Sequence, residues 1–274
     1  MKVRPRRIIS SRATDAGGDR LNPGKRVPAR RPQLVVTQDA EALAEAAARR
    51  LLDRIAETPG RAAICLTGGS TPEPLYRLLA TNPYRSRIPW ERTHWFMGDD
   101  RFVPPEDPLS NMGMVRRLFL DSVEAPRANV HGMPTTEGSP GIAARRYEAE
   151  LKRFYGRDRL DPARPLFDVV LMGVGPDGHT ASLFPHGPAL QEKERWVVGV
   201  EQAGCEPHVP RVTLTFPALA STREMLFLVS GEEKRDMLTR VLSGEDLPAH
   251  HAYSHGELVW LVDRAAAPAG HPEM

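Results

Sequence analysis

Cysteine is nearly absent from this chain: Cys65 and Cys205 are the only two in 274 residues. Two thiols 140 positions apart cannot build a disulfide framework, a Cys-x-x-Cys redox site or a cysteine-based zinc cluster. Cys65 lies inside an apolar run and reads as a buried, inert thiol. Long apolar runs are also missing, and none approaches the ~18–20 residues that a membrane span requires. The N-terminal region is basic but lacks the apolar stretch of roughly 7–15 residues that marks a secretory signal, so no export is expected. Thiols without a framework and no export signal together predict a reducing, cytoplasmic setting.

Aromatic residues make up 6% of the chain, and residues 1–32 contain none. That segment holds ten Lys or Arg against Asp15 and Asp19, a net +8. The remaining 27 basic and 33 acidic groups give residues 33–274 a net −6. A basic tail without stacking rings, and without helical or strand periodicity, is a poor nucleic-acid arm and reads as a disordered extension. No nucleic-acid partner is expected.

Patterned sequence begins near Gln33. A short strand at 34–36 is followed by Asp39 as a helix N-cap, and Leu43, Ala47, Leu51 and Ile55 then recur on one helical face until Pro59-Gly60. Further strands are expected at 62–67, 93–97, 168–174, 196–200, 212–216, 225–230 and 258–262. Helical patterns at 72–80, 111–120, 141–154 and 232–242 lie between many of them. This alternation predicts an α/β fold, a mostly parallel, Rossmann-like sheet with helices on both faces. Residues 33–274 read as one domain, with room for a small additional lobe around 120–165.

Functional groups in such folds gather beyond the carboxyl ends of the strands. Three turns occupy that position. The first, Thr67-Gly68-Gly69-Ser70-Thr71-Pro72, joins a strand to a helix, with Thr71 suited to the N-cap and Pro72 to the first helical position. Gly68 and Gly69 let a ligand approach the backbone, so the turn reads as a phosphate or carboxylate site. The second, Gly98-Asp99-Asp100-Arg101, is either a solvated loop or a polar active-site wall, and Ser110-Asn111 nearby opens a helix where both residues can serve as caps.

The third turn carries Asp177 and His179 on Gly173-x-Gly175-x-x-Gly178. His179 is a natural general base because imidazole titrates near neutrality. Asp177 either orients that imidazole or faces solvent. The glycine spacing matches a dinucleotide fingerprint, but Asp177 would repel a pyrophosphate, and Pro185 with Gly187-Pro188 stops the next helix after about two turns. Ser182 falls on that short helix. A metal on His179 with Asp99 and Asp177 lacks the paired helical histidines or Cys cluster that usually supply ligands, and His250-His251-x-x-x-His255 reads as a surface connector, so neither a metal nor a cofactor is expected. Lys234, in the first turn of a helix where a cation is unfavourable, is either held by an anionic ligand or solvated.

Taken in order, 67–79, 98–111 and 167–185, continuing through 210–217 and 227–234, the chain resembles the 6-phosphogluconolactonase family. The run Pro-Asp-Gly-His-Thr-Ala-Ser-Leu-Phe-Pro at 176–185 is its most specific mark. The resemblance implies hydrolysis of a sugar-phosphate lactone, with His179 as the base and Asp99 and Arg101 in the active site. It further implies that Gly68, Gly69, Ser70, Thr71, Arg211 and Lys234 hold the phosphate. Asp177 and Asn111 are additional candidates. The chain departs from the family's usual pattern at Asp100, where Glu is common, and at Ala220, where Asn is common.

Overall fold

A computed structural model describes residues 32–270. The basic segment 1–32 lies outside the described residues except for Pro32.

The first unit forms as its pattern predicts. Strand β1 (Gln33–Thr37) leads to helix α1 (Ala40–Glu57), whose first turn is closed by Asp39 accepting from the Ala42 N–H at 2.8 Å. Leu43, Ala47, Leu51 and Ile55 are all buried on one face. The chain continues through β2 (Ala62–Leu66), α2 (Glu73–Leu79), β3 (Thr93–Met97), β4 (Asp99–Arg101), α3 (Asn111–Leu118) and β5 (Val130–His131). Then follow α4 (Pro140–Tyr155), β6 (Phe167–Met172), β7 (Val197–Val200), β8 (Arg211–Leu214), α5 (Phe216–Ala220), β9 (Thr222–Val229), α6 (Arg235–Leu242) and β10 (Glu257–Asp263).

Seven strands form a parallel sheet in the order β1-β10-β9-β6-β2-β3-β5. Every residue of β2 and β6 is buried, which is why both read as continuous apolar runs rather than alternating ones. Asp168 in β6 is the exception in type, and its carboxylate is satisfied by the Thr58 hydroxyl and the Ala63 N–H. From β2 the sheet extends one way through β3 and the other way through β6. The first and third turns therefore leave neighbouring strands side by side at the point where the strand order reverses.

Three sequence expectations change. The strands at 196–200 and 212–216 do not join the parallel sheet. They form β7 and β8 of a separate antiparallel sheet, order β4-β8-β7. The chain changes sheets at Gly98, whose N–H donates to Leu66 O in β2 at 2.9 Å while its carbonyl accepts from Leu214 N in β8 at 2.8 Å. This small sheet, not residues 120–165, is the additional unit. Within 120–165, α4 packs on β7 and β8, and Ala143, Tyr147 and Leu151 belong to the same buried cluster as the parallel sheet.

Second, no helix forms over residues 179–187, and the next is a single 3-10 turn at Pro188–Gln191. Residues 180–187 make consecutive tight turns, closed by Leu183 N to Thr180 O and Gly187 N to Phe184 O at 3.0 Å each, with Ala181 and His186 at positive φ. Third, α2 starts at Glu73, one residue later than expected. Pro72 occupies the cap position and Thr71 makes no capping bond.

Candidate active site

The three turns converge on one cleft of about 250 Å³. Its walls include Gly68, Gly69, Ser70 and Thr71 from the first turn, Asp99, Arg101 and Asn111 from the second region, and His179 from the third. Arg211 and Lys234 complete it, so ten of the eleven candidates line a common space. Asp177, the eleventh, does not line it but holds His179 from behind.

That hold settles the alternative left open for Asp177. Its Oδ1 accepts from the His179 backbone N–H at 3.1 Å and lies 2.5 Å from Nδ1 of the same residue. Burial pushes the Asp177 carboxyl up, but the hydrogen bond and charge of His179 outweigh it and keep it below the usual carboxylate range. With Nδ1–H donating to a carboxylate, the lone pair of neutral His179 sits on Nε2. The Phe184 ring packs beside the imidazole at 4.8 Å between centroids. Gly175 is required here: a Cβ on it would lie 2.0 Å from His179 Cε1.

Gly68 has a packing role in addition to its place in the cleft wall. A Cβ there would meet Asn111 Oδ1 at 2.0 Å, so the missing side chain makes room for the Asn111 amide. Asn111 is not the cap of α3; Ser110 is, accepting from Gly113 N at 3.0 Å. The Asn111 amide instead donates to Asp99 O at 3.1 Å and accepts from Arg101 Nη1 at 2.8 Å, fixing that guanidinium. Gly69 stands at φ +89° with open space where its Cβ would be, so its backbone is open to close approach. Behind the turn, buried Tyr76 donates to Thr67 O at 2.6 Å and accepts from Thr67 N at 3.1 Å.

Asp100 does not line the cleft. Its carboxylate accepts from the backbone N–H groups of Arg101, Asn111 and Met112 at 2.7–3.0 Å, anchoring the start of α3. The short Asp side chain suffices for this anchoring. Ala220 is fully buried away from the cleft, where its carbonyl accepts from His255 N.

Electrostatically the cleft is unbalanced. Arg101 and Arg211 are directly paired in register on β4 and β8, yet neither bonds a carboxylate. Arg101 Nη1 donates to Leu109 O and the Asn111 amide, Arg211 Nη2 to Pro207 O, and Lys234 Nζ to Val174 O at 2.9 Å. Among the described residues no salt bridge involves any of the three. Arg211 is 3% exposed and its Nε–H has no partner. Burial, reinforced by the charge of Arg101, pulls its pKa down. Three cations facing one space with only neutral oxygens as partners form a site for an anion.

Sequence reasoning missed two contacts at the site. Ser182 Oγ donates to Asp99 Oδ2 at 2.6 Å across 83 residues, and Cys205 Sγ lies 3.8 Å from His179 Nδ1. No local pattern signals either contact.

Comparison with known proteins identifies the family. The family model described as "Glucosamine-6-phosphate isomerases/6-phosphogluconolactonase" matches residues 38–260. A 6-phosphogluconolactonase of a Synechocystis species is 40% identical over 244 residues, covering 86% of this chain and 97% of the relative. One from Streptomyces coelicolor is 40% identical over 246 residues, covering 86% and 94%. The crystal structure of 6-phosphogluconolactonase from Thermotoga maritima superposes with a TM-score of 0.72 at 31% identity, covering 85% of this chain and all of that one. The chain belongs to the glucosamine-6-phosphate isomerase/6-phosphogluconolactonase family.

Proposed function

We propose that this chain hydrolyses 6-phospho-D-glucono-1,5-lactone to 6-phosphogluconate, the lactonase step of the oxidative pentose phosphate pathway, with His179 as general base. The observation that carries the reading is the pairing, in one cleft, of an Asp-oriented imidazole with three cations whose hydrogen-bond partners are neutral oxygens. The 6-phosphogluconolactonase names of the relatives support it.

In this mechanism the phosphate is held by Gly68, Gly69, Ser70, Thr71, Arg211 and Lys234, which sets the lactone carbonyl near His179. Nε2 takes a proton from a water that attacks that carbonyl, and Asp177 stabilises the resulting imidazolium. Arg101, held in place by Asn111, and backbone N–H groups of the loops are the donors available to the tetrahedral oxyanion. The imidazolium then protonates the ring oxygen as the ester bond breaks. Ser182 is not the nucleophile, since its buried hydroxyl is committed to Asp99.

Residues 33–274 act as one catalytic unit in this reading, supported by a buried cluster that runs, among the described residues, from Leu43 to Ala266. Cys65 and Cys205 are both free thiols, and among the described residues no helix is long and apolar enough to cross a membrane. Both facts suit a reducing cytoplasm.

The test is acid release from freshly generated 6-phosphogluconolactone at neutral pH, with spontaneous hydrolysis subtracted. Acceleration is expected, and His179→Ala should lower turnover ~10²–10⁴-fold, the range of general acid–base catalysis, with KM little changed. No acceleration by the intact chain, or near-normal turnover in the variant, would overturn the reading.

A further inference from the structure

Among the described residues, Asp177, His179 and Cys205 are the one group of three His, Cys, Asp or Glu side chains whose ligand atoms all lie within 4.8 Å of one another. All three are partly exposed, and His179 and Cys205 open onto the cleft. The catalytic proposal uses the first two and leaves the thiol without a task. The absence of an expected metal rested on sequence spacing, which cannot register a contact formed across 26 residues.

We propose that Asp177, His179 and Cys205 form an inhibitory site for a thiophilic divalent cation of the Zn²⁺ class, which switches off the base by binding its Nδ1 nitrogen. One oxygen, one nitrogen and one sulfur match the donor preference of Zn²⁺. With Zn–N and Zn–O near ~2.0 Å and Zn–S near ~2.3 Å, a tetrahedral ion sets its N and O ligands ~3.3 Å apart and its N and S ligands ~3.5 Å apart. The corresponding separations here are 2.5 Å between Nδ1 and Oδ1 and 3.8 Å between Nδ1 and Sγ. Asp177 must back away from the ring by under ~1 Å, and Cys205, which lies within 4.8 Å of the Asp177 oxygen against the ~3.5 Å of a tetrahedral O–Zn–S pair, must close by up to about 1.3 Å, with water from the cleft as the fourth ligand.

The inhibitory consequence rests on the lactonase reading above. In the metal-free protein the single proton of neutral His179 lies on Nδ1, facing Asp177, and Nε2 is the base. A cation on Nδ1 takes the proton's place, so the ring's only proton moves to Nε2 and the base is lost. The thiol becomes a metal-bound thiolate and releases one proton to solvent, so binding weakens as pH falls.

The experiment titrates Zn²⁺, and separately Co²⁺, into chelator-treated full chain, wild type and Cys205→Ala. Calorimetry and the thiolate-to-Co²⁺ charge-transfer absorbance read binding without any reference to activity, and lactone hydrolysis reads inhibition. One equivalent should bind with a thiolate band, and Zn²⁺ should inhibit reversibly on addition of EDTA. Cys205→Ala should keep its metal-free activity, lose the band and need at least about tenfold more Zn²⁺ for half-inhibition, because even an outer partner of a ligand is worth ~10–100-fold in affinity. Cys205→Ser, retaining a small polar side chain, should behave like Cys205→Ala. A wild-type protein that binds Co²⁺ without a thiolate band, or a Cys205→Ala variant inhibited at the wild-type Zn²⁺ concentration, would overturn the site. A thiolate band in a chain that shows no lactonase activity would support the site and sink the catalytic reading instead.

Discussion

Replacing Asp177 with Asn tests the catalytic dyad with little change of shape. Two donors, Nδ1–H and the backbone N–H of His179, converge on the same carboxylate oxygen, Oδ1. An amide at this position is therefore driven to present its oxygen to both, which preserves the ring orientation and the Nδ1–H tautomer. What disappears is the negative charge, and that charge matters most once His179 has become an imidazolium. A hydrogen bond to a charged group is worth ~1.5–3 kcal/mol. At about 1.36 kcal/mol per tenfold in rate, Asp177→Asn should lower kcat ~10–150-fold. KM should stay within about twofold, since the lost interaction strengthens only toward the transition state. A fall nearer ~10⁴-fold would mean that the amide had turned its NH₂ to Nδ1 and inverted the tautomer. Initial rates of acid release, corrected for spontaneous hydrolysis and measured across a range of lactone concentrations, separate the two constants. An unchanged kcat would refute the dyad, and a loss confined to KM would move Asp177 from the base to the substrate.

Three further perturbations probe other parts of the site. Gly175→Ala places a Cβ 2.0 Å from the His179 ring and 2.1 Å from its Nδ1, so the base must leave its position. Turnover should fall toward the level of His179→Ala while the circular dichroism spectrum is retained, and normal turnover would show that the ring need not stand where it does. Arg211→Met removes a buried cation with an unpartnered Nε–H; KM for the phosphorylated lactone should rise ~10–150-fold, the worth of a charged hydrogen bond, while hydrolysis of the unphosphorylated lactone is unaffected. Equal losses on both substrates would place Arg211 away from the phosphate. Burial raises the Asp100 carboxyl from 3.8 to about 6, even against its three backbone N–H donors. The folded chain thus holds this proton more tightly than the unfolded chain, so the stabilisation is complete below about pH 3.8 and is lost as pH rises through 6. The shift corresponds to roughly 3 kcal/mol at about 1.36 kcal/mol per pKa unit. In urea denaturation the stability of wild type relative to Asp100→Asn should decline by about that amount between pH 4 and 7, and a constant difference would refute the assignment.

The sequence displays the parallel sheet because β2 and β6 are buried on both faces and so carry unbroken apolar runs that end in glycine-bearing turns. It displays His179, Arg101 and the Gly68–Thr71 turn for the same reason, as each stands just beyond the carboxyl end of such a run. The second sheet is hidden. Nothing in the short stretch 99–101 distinguishes a strand from a loop until Arg101 is found opposite Arg211, more than a hundred residues on. The turns after Gly178 are hidden as well, because an apolar Ala-Ser-Leu-Phe segment fits a helical turn as readily as the compact turns that place Ala181 at positive φ. Gly68 shows where the limit lies. Close approach of a ligand and close approach of a side chain make the same demand on the backbone, the absence of a Cβ, and so leave the same letter in the chain. Only the sheet order, with β3 beside β2, brings α3 near enough for the Asn111 amide to fill the space. That one contact gives Gly68 a second task, making room for the residue that positions Arg101. Which residues can do chemistry follows from their type and from the strand ends that carry them; which of them act on one another follows from pairings between distant segments.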